Sequence, residues 1–496
     1  MKYIIFIMLL FSQFNFVQSQ DFQWEVPVKI SNNPKGWCIS PTICDDVNGN
    51  LYVVFSHYNL NESQRLYFNW FDGKNWQGID TLYQHQNYDV YSPKILSDLK
   101  NNLHLSFEIA YGEYGRLYYM GKENENWSTP VQISEDSLGS THGHDIVVDN
   151  FGKVHIFFNA DDIYYRVYYD SILSNIINIT NLDLEQYKTL SPKAVIDSEN
   201  NIYLTYQIKN DLNNVSDLFF SKYDGQVWSD PIGITEIDDL SCWYQAMTLD
   251  SENNLHIVWD QQLTKLDTVL GNPTIVSYKQ VYYANNVAGK WSPPDNISKI
   301  PNSSSIMPKI KIYKNNPIVF FEIFYEDISG QDKYYAHRVT DEWVVKKWDV
   351  EFNTTKFFDF FIDSSELIHI ATCSQPITQR GDVEYVKGNA DPSSIKPIIR
   401  YSSHDLHLKN YPNPFNNKTK IHFYLDKSDN IEVKIFDINC KLVKIIVSNQ
   451  RLNAGMHLYY WDAINNHGKE VSSGIYFLVI LRNSEIVNSR KIILFK

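Results

Sequence analysis

The chain has 496 residues, of which 43% are hydrophobic and 21% charged, a composition typical of folded globular domains. Its formal net charge of −14 argues against a basic surface of the kind that binds nucleic acid or an anionic membrane. Aromatic residues make up 15% of the chain. Because aromatic and β-branched residues favour strands, this abundance predicts an all-β protein.

The N-terminus has the layout of a secretory signal peptide. A single lysine precedes an apolar run that begins at Tyr3, and Val17-Gln18-Ser19 resembles a cleavage site, so residues 1–19 are predicted to be removed. The run is shorter than the roughly 20 apolar residues that a spanning helix needs. We expect export and no transmembrane segment in the mature chain; the alternative is an uncleaved anchor.

A motif of two strands joined by a polar turn recurs along the chain. The first copy runs from Ser40 through the turn at Asn48-Gly49-Asn50 to Phe55. The corresponding turn residues of the seven copies are Asp46, Asp98, Asp149, Asp197, Asp250, Tyr313 and Asp363. A repeat of about fifty residues with four short strands is the pattern of a propeller blade. We therefore predict a seven-bladed β-propeller over residues 20–400.

The fourth strand of a copy begins with tryptophan in most repeats. Trp24 begins such a strand before the first copy, whereas the copy around Asp363 has none after it. The N-terminal strand is therefore expected to pair near residues 382–388 and close the ring. The hairpin from Ser221 to Trp228 resembles a degenerate Asp-box of the sialidase and BNR-repeat propellers, with Tyr223 at the usual Asp position. This resemblance concerns the type of repeat and carries no activity.

After a linker at Ser402-Ser403, residues 406–496 alternate apolar and polar in about seven short runs, which predicts a small immunoglobulin-like β-sandwich. Characteristic words include residues 410–416 and 471–477 and the C-terminal run 490–496. This region resembles the type A sorting domain of the type IX secretion system of Bacteroidota, although Cys440 replaces the usual glycine. The resemblance implies a cleavable export signal, the secretion machinery as a partner, and a location outside the cell or on its surface.

We predict no metal site and no cofactor. The cysteines lack a Cys-x-x-C pair, so a zinc or redox motif is unsupported and structural roles are expected. The turns at Asp46 and Asp197 are similar to calcium loops but lack the distal glutamate of a full loop. Four histidines occupy equivalent positions of separate copies, where interblade packing is expected: His104, His155, His256 and His369.

The segments that lead into the first strand of each copy share one propeller face with the loops between second and third strands. Several residues in these segments differ from copy to copy, whereas the residues of the repeat itself recur. Aromatic rings at a channel mouth can stack on sugars. The predicted ligand-binding residues are Trp37, Tyr91, His142, His144, Trp243 and Tyr244. The alternative is that these side chains only plug the channel.

Catalytic candidates lie on the same face. Three carboxylates at the expected ends of second strands could act as general acids or bases: Glu108, Asp260 and Glu322. The alternative is that they are polar only because strand ends are exposed to solvent. A polysaccharide lyase would use a histidine or tyrosine base and an arginine beside a uronate, for which the candidates are His142, His144, Tyr91 and Arg116. A sialidase would need the Arg-Ile-Pro word, which is absent.

Three functional hypotheses remain open at this point. The leading one is a secreted or surface-attached propeller that binds a glycan or protein ligand at the channel mouth. The alternative is a glycan-active enzyme, either a polysaccharide lyase or a sialidase-like glycoside hydrolase. The third is a structural surface protein without a small ligand. The sequence alone leaves open whether the protein is an enzyme.

Overall fold

The computed structural model describes residues 18–19, 22–31, 36–59, 62–112, 114–123, 126–235, 240–269, 272–287, 289–300, 303–325, 331–339, 342–348, 350, 355–374, 381–390, 396–397, 408–425, 428–438, 441–482 and 485–496. Most of the signal peptide expected at 1–19, and Cys440, lie outside these residues. In the described part of the chain, no helix has the length and apolarity to cross a membrane. The chain divides into two compact units, 1–261 with 279–398, and 262–278 with 399–496.

Among the described residues, the first unit contains seven antiparallel sheets of four or five strands, which confirms the predicted seven-bladed propeller. Blade 1 consists of the strands Trp37–Asp45, Leu51–Asn59, Glu62–Phe71 and Asp80–Gln84, and blade 2 of Asp89–Ser97, Leu103–Tyr111, Tyr114–Glu123, Asn126–Trp127 and Val131–Gln132. Blade 3 consists of His144–Val148, Val154–Ala160, Asp162–Tyr169, Ile172–Leu173 and Ile177–Asn178. Blade 4 consists of Tyr187–Ile196, Ile202–Asn210, Val215–Tyr223 and Ile232–Gly233. A 3-10 turn, Asp136–Leu138, lies between blades 2 and 3.

The strands of blades 5 and 6 are Cys242–Leu249, Leu255–Val269, Asn272–Val287, Lys290–Trp291 and Asp295–Asn296; and Ser303–Tyr313, Asn316–Tyr325, Gln331–Val339 and Glu342–Lys347. Blade 7 consists of Thr355–Ile362, Ile368–Ser374 and Asp382–Ala390 together with the N-terminal strands Phe22–Trp24 and Val28–Lys29. A separate pair joins Gln18–Ser19 to Lys396–Pro397.

The N-terminal strands supply the outer strand of blade 7. Phe22 pairs with Ala390, and after an interruption at Pro27, Val28 pairs with Tyr385. The outer strand of blade 2 is interrupted in the same way, around Pro130. Proline has no N–H to donate to a ladder, so it is tolerated on an edge strand but divides it.

Tryptophans of the outer strands pack against aromatic rings of the preceding blade. Trp127 meets Phe68 of blade 1 and Trp291 meets Phe220 of blade 4, both edge to face at 5.7 and 5.5 Å between centroids. Trp24 packs on Trp348, beyond the last strand of blade 6, at 5.1 Å. Aromatic rings packed edge to face attract each other more strongly than the burial of their surface alone accounts for. This repeated contact therefore stabilises the blade interfaces.

The second unit includes a seven-stranded β-sandwich, as predicted. Its two sheets comprise Lys409–Tyr411, Thr419–Leu425 and Gly455–Trp461, and Leu442–Leu452, Asp429–Asp437, Gly474–Arg482 and Glu485–Leu494. Phe415, Phe423 and Trp461 are buried in its core. The Asn413 side chain accepts a hydrogen bond from the Ile493 N–H at 2.8 Å and donates to the Lys491 carbonyl at 3.1 Å. The word at 410–416 therefore ties the start of the sandwich to its last strand.

Candidate functional site

The first strands of the seven blades surround the central channel, because consecutive first strands contact one another around the ring. In six blades the first strand contains a β-bulge. One residue of each bulge adopts a left-handed backbone conformation with φ between 50° and 52°: Ser40, Ser92, Ser191, Tyr244, Met307 and Phe357. In blade 3, Gly143 takes the corresponding position with φ 99°.

The bulge position divides the channel mouth into two halves. Blades 1 to 4 carry serine or glycine there, whereas blades 5, 6 and 7 carry Tyr244, Met307 and Phe357. Tyr244 is 51% exposed and Phe357 is 38% exposed. A large side chain with positive φ costs of order 1–3 kcal/mol of strain, so an exposed aromatic at such a position is a candidate for function.

Behind Tyr244, three side chains form a connected group. The Lys279 ammonium lies 3.6 Å from the centroid of the Trp243 ring and 3.3 Å from Asp260 Oδ1. The other Asp260 oxygen accepts a hydrogen bond from the Met307 N–H at 3.2 Å. Asp260 is completely buried, and burial raises its pKa to about 6 despite the nearby Lys279. Asp260 is therefore ionised at neutral pH and fixes both Lys279 and the bulge of blade 6.

A second group forms around Glu108. Its Oε1 accepts a hydrogen bond from the Gly143 N–H at 2.9 Å and lies 3.2 Å from His144 Nδ1. The Tyr91 hydroxyl also hydrogen-bonds to Glu108, and burial together with this carboxylate raises the pKa of Tyr91. The His144 side chain is 1% exposed, and its Nε2 has no hydrogen-bond partner among the described residues.

A third group lies in blade 6. Glu322 Oε1 is 3.3 Å from Lys333 Nζ, and both side chains are buried. The Lys333 ammonium also lies 4.2 Å from the centroid of the Phe358 ring, next to the exposed Phe357. Burial lowers the pKa of Lys333, and Glu322 opposes that shift.

The residues that were expected to end the second strands, with polar side chains facing solvent, instead lie within those strands and are buried. Their exposure is 2% or less in all seven blades: Ser56, Glu108, Asn159, Gln207, Asp260, Glu322 and Cys373. Four of them contact the first strand of the next blade. Asn159 Nδ2, for example, donates to the Thr189 carbonyl at 2.6 Å, and Gln207 Nε2 donates to Gln245 Oε1 at 2.8 Å. A bulge leaves backbone groups without partners in the sheet. These side chains hydrogen-bond to such groups or to a side chain of the strand that contains the bulge.

The remaining predicted site residues lie apart from these groups. Trp37 stacks on Tyr58 at the interface of blades 1 and 7, and His142 is exposed. The Arg116 guanidinium donates to Asp136 Oδ1 at 2.8 Å and to the Gly139 carbonyl at 2.6 Å, which holds the segment that leads into blade 3. The structure thus brings together Tyr91, Glu108 and His144, and separately Trp243, Tyr244 and Asp260.

The four equivalent histidines each hydrogen-bond or pair within their own blade, and His155 also lines a cavity between blades 3 and 4. His155 Nδ1 lies 2.7 Å from the Tyr165 hydroxyl, and its Nε2 lies 3.5 Å from Asp149. His104, His256 and His369 have the same tyrosine and aspartate partners. In blades 1 and 4, where tyrosine replaces histidine, the hydroxyl donates directly to the turn aspartate.

The turn aspartates are occupied by their own loops. Asp46 Oδ1 accepts the N–H groups of Asn48 and Asn50, and its Oδ2 accepts the Asn50 amide and the Tyr52 hydroxyl, all at 2.9–3.0 Å. This is the pattern of an Asx turn. Within the described ranges, no group of three or more histidine, cysteine, aspartate or glutamate side chains is arranged to hold a metal ion.

A cavity of about 510 Å³ lies on the opposite face of the propeller, between blades 3 and 4. It is lined by residues of the turns between first and second strands and between third and fourth strands, among them Phe151, Lys153, Tyr169 and Asn200. Phe151 is 62% exposed and Tyr169 is 46% exposed. This cavity contains none of the predicted site residues.

Residues 409–495 match the model of the secretion system C-terminal sorting domain. The C-terminal sandwich is a secretion sorting domain. A domain of this family indicates export by the type IX secretion system, to the cell surface or the medium. Comparison with curated proteins finds no match for the chain.

Solved structures share the propeller fold at low sequence identity. A PL25 ulvan lyase bound to -[GlcA(1-4)Rha3S]- is 12% identical with a TM-score of 0.50, covering 74% of this chain and 94% of that one. An α-L-arabinanase of Penicillium chrysogenum is 11% identical with a TM-score of 0.46, covering 73% and 98%. A Dyadobacter fermentans protein of unknown function is 10% identical with a TM-score of 0.48, covering 75% and 99%. At these identities the similarity concerns the fold alone.

Proposed function

We propose that this protein is an exported propeller that binds a glycan at the aromatic half of the channel mouth. One observation supports this proposal: the bulge position carries exposed Tyr244 and Phe357, whereas four other blades carry serine or glycine at the same backbone conformation. Aromatic faces stack on sugar rings, and polar groups beside them hydrogen-bond to hydroxyls. Serine would serve the fold equally well, so the aromatic side chains are best explained by a ligand.

The group behind Tyr244 suits the same role. Lys279 keeps 26% of its side chain exposed while Asp260 and the Trp243 ring hold its ammonium in place. A fixed donor beside an aromatic face can orient a sugar that stacking alone would leave free to rotate. We therefore include Trp243 and Lys279 in the proposed binding surface, together with Tyr244 and Phe357.

The test is a glycan array with the full secreted protein, followed by calorimetry on any glycan that binds. Tyr244→Ser and Phe357→Ser are the matched variants, because serine occupies this bulge position in blades 1, 2 and 4. Each is expected to weaken binding by about 1–3 kcal/mol, the scale measured for stacking of bases on aromatic side chains. Tyr169→Ala, on the opposite face, is the control and should leave affinity unchanged. An array without any bound glycan, or equal losses in all three variants, would refute the proposal.

A second candidate function, a polysaccharide lyase, is favoured by the Glu108 group. A carboxylate that holds one ring nitrogen of a histidine leaves the other nitrogen to act as a base, and His144 Nε2 lacks a partner among the residues described. The PL25 ulvan lyase has a similar fold, but at 12% identity this similarity is no evidence for the same activity. His144 is buried, so turnover would require this face to open.

The two candidates differ in their products. Incubation with acidic polysaccharides should give no ultraviolet absorbance from unsaturated sugars and no new reducing ends if the protein only binds. If the protein is a lyase, absorbance should increase in the wild type and be abolished in His142→Ala or His144→Ala. In a binding protein, the same variants should change affinity alone.

We also propose the finer features of export and ancestry. The chain would enter the periplasm by a signal peptide cleaved after Ser19, and the type IX machinery would recognise residues 406–496. The blades would be degenerate BNR-type repeats. The bridges between Phe71 and Trp76 and between Tyr223 and Trp228 support this, because they place the turn of each hairpin at equivalent positions.

A further inference from the structure

A ring of seven side chains lies in the channel, two residues beyond each bulge position. Its members are Thr42, Lys94, Asp145, Lys193, Ala246, Lys309 and Asp359. Three lysines and two aspartates give the ring a net charge of 3 − 2 = +1. The charge of Lys193, in blade 4, interacts with those of the other four charged members, in blades 2, 3, 6 and 7. These side chains therefore converge on one region of the channel.

The two aspartates already have partners in the ring or the next blade. Asp359 accepts hydrogen bonds from Lys309 Nζ at 2.8 Å and from Thr42 Oγ1 at 3.2 Å. Asp145 accepts the Ala194 N–H of the next blade at 3.0 Å. Asp359 thus neutralises Lys309, and Asp145 accepts a backbone N–H from the first strand of blade 4.

Lys94 and Lys193 are left without such partners. Neither has a hydrogen bond or ion pair with any residue that the structure describes, and both are partly buried. Burial and the charges of Lys94 and Lys309 lower the pKa of Lys193 to about 8, although the charges of Asp145 and Asp359 act in the opposite direction. The ring thus contains one more ammonium than carboxylate group, and Lys94 and Lys193 are the two ammonium groups in it from which no described side chain or carbonyl accepts a hydrogen bond, which favours an anion or ordered solvent beside them.

We propose that the channel binds an oxyanion, a carboxylate or sulfate group, between Lys94 and Lys193. Charge-assisted hydrogen bonds from two ammonium groups would relieve the repulsion that the ring contains. The group could belong to a free inorganic anion in the channel or to an acidic sugar whose ring lies on the aromatic half of the mouth. Only the second source rests on the proposed glycan-binding function.

Calorimetry with sodium sulfate at constant ionic strength tests the site on the full chain. The wild type should bind sulfate, and Lys193→Gln and Lys94→Gln should each bind it at least 10-fold more weakly. The control is Lys290→Gln, which replaces an exposed lysine elsewhere in blade 5 and should bind sulfate as well as the wild type does. Both ring variants should fold, because each removes a repelling charge. Affinity in the wild type should fall as the pH rises through about 8, because the pKa of Lys193 lies there.

The source of the anion is distinguished with digalacturonate and neutral galactobiose. Sulfate binding that requires Lys193 supports a free anion, and Lys193-dependent binding of digalacturonate alone supports an acidic sugar. Tyr244→Ser should leave sulfate binding unchanged, which separates this site from the aromatic surface. If neither sulfate nor digalacturonate binds, or if the ring variants bind as well as the wild type, the proposal is wrong.

Discussion

Phe22→Ala provides a quantitative test of how the ring closes. Phe22 lies in the N-terminal strand that completes blade 7, where it pairs with Ala390. Its ring, which is 7% exposed, packs edge to face against Tyr313 and Tyr335 of blade 6 at 5.4 and 5.1 Å between centroids. One side chain from the start of the chain thus joins the last two blades.

The expected cost follows from the burial of this ring. Replacing a buried phenylalanine by alanine costs about 3–5 kcal/mol, because the transferred area is lost and a cavity remains. With an unfolding entropy of about 2.1 cal/mol/K per residue, a propeller of about 380 residues has a total of about 0.8 kcal/mol/K. The thermal midpoint of the propeller should therefore fall by about 4–6 °C.

Differential scanning calorimetry of the full secreted protein measures this shift. Val26→Ala is the matched control, because Val26 lies in the same segment but is 84% exposed and should change stability by less than about 0.5 kcal/mol. A propeller midpoint that is the same in Phe22→Ala and Val26→Ala would show that the N-terminal segment does not hold the ring closed.

Three further predictions concern acid stability, export and the sorting domain. Burial lowers the pKa of His155, His256 and His369, so below about pH 6.5 these histidines bind protons more readily in the unfolded chain than in the folded one. The thermal midpoint of the propeller should therefore fall as the pH is lowered from 7.5 to 5.5. A midpoint that stays constant over this range would contradict the prediction. Deleting residues 406–496 should trap a folded propeller in the periplasm, and normal release into the medium would refute the export role. Asn413→Ala should destabilise the sorting domain by about 1–3 kcal/mol, measured by urea unfolding, because it leaves the Ile493 N–H unpaired; an unchanged unfolding midpoint would count against it.

The architecture could be predicted because propeller blades repeat. The recurrence of the turn residue every 48 to 63 positions reveals the number of blades, and the surplus strand at Trp24 indicates which blade it completes. Such patterns depend on local strand and turn chemistry, which a single sequence displays directly. The sandwich could likewise be predicted from its alternation and its characteristic words.

The candidate site was only partly predictable. Trp243 and Tyr244 depart from the repeat in sequence, whereas Phe357 was missed, although it lies six residues before the turn residue Asp363 just as Tyr244 lies six residues before Asp250. Alignment of Phe357-Phe358 with Ser40-Pro41 would have identified it. The left-handed conformation that makes these positions equivalent is visible only in the backbone.

Contacts between blades were the least predictable feature. Glu108 and Asp260 were expected to face solvent, but Glu108 accepts the N–H of Gly143, just before the first strand of blade 3, and Asp260 accepts the N–H of Met307 in the first strand of blade 6. The partner of such a residue is about 35 to 47 positions away, so no local pattern indicates it. The histidine partners are similarly set by the register of neighbouring strands.

The most direct test of glycan binding at the mouth is a crystal structure of the protein with an oligosaccharide that binds on the array. The account predicts a sugar ring stacked on Tyr244 or Phe357, with Lys279 within hydrogen-bonding distance of a hydroxyl or acidic group. A sugar seated instead in the cavity of Phe151 and Tyr169 on the opposite face, with the channel mouth empty, would contradict it.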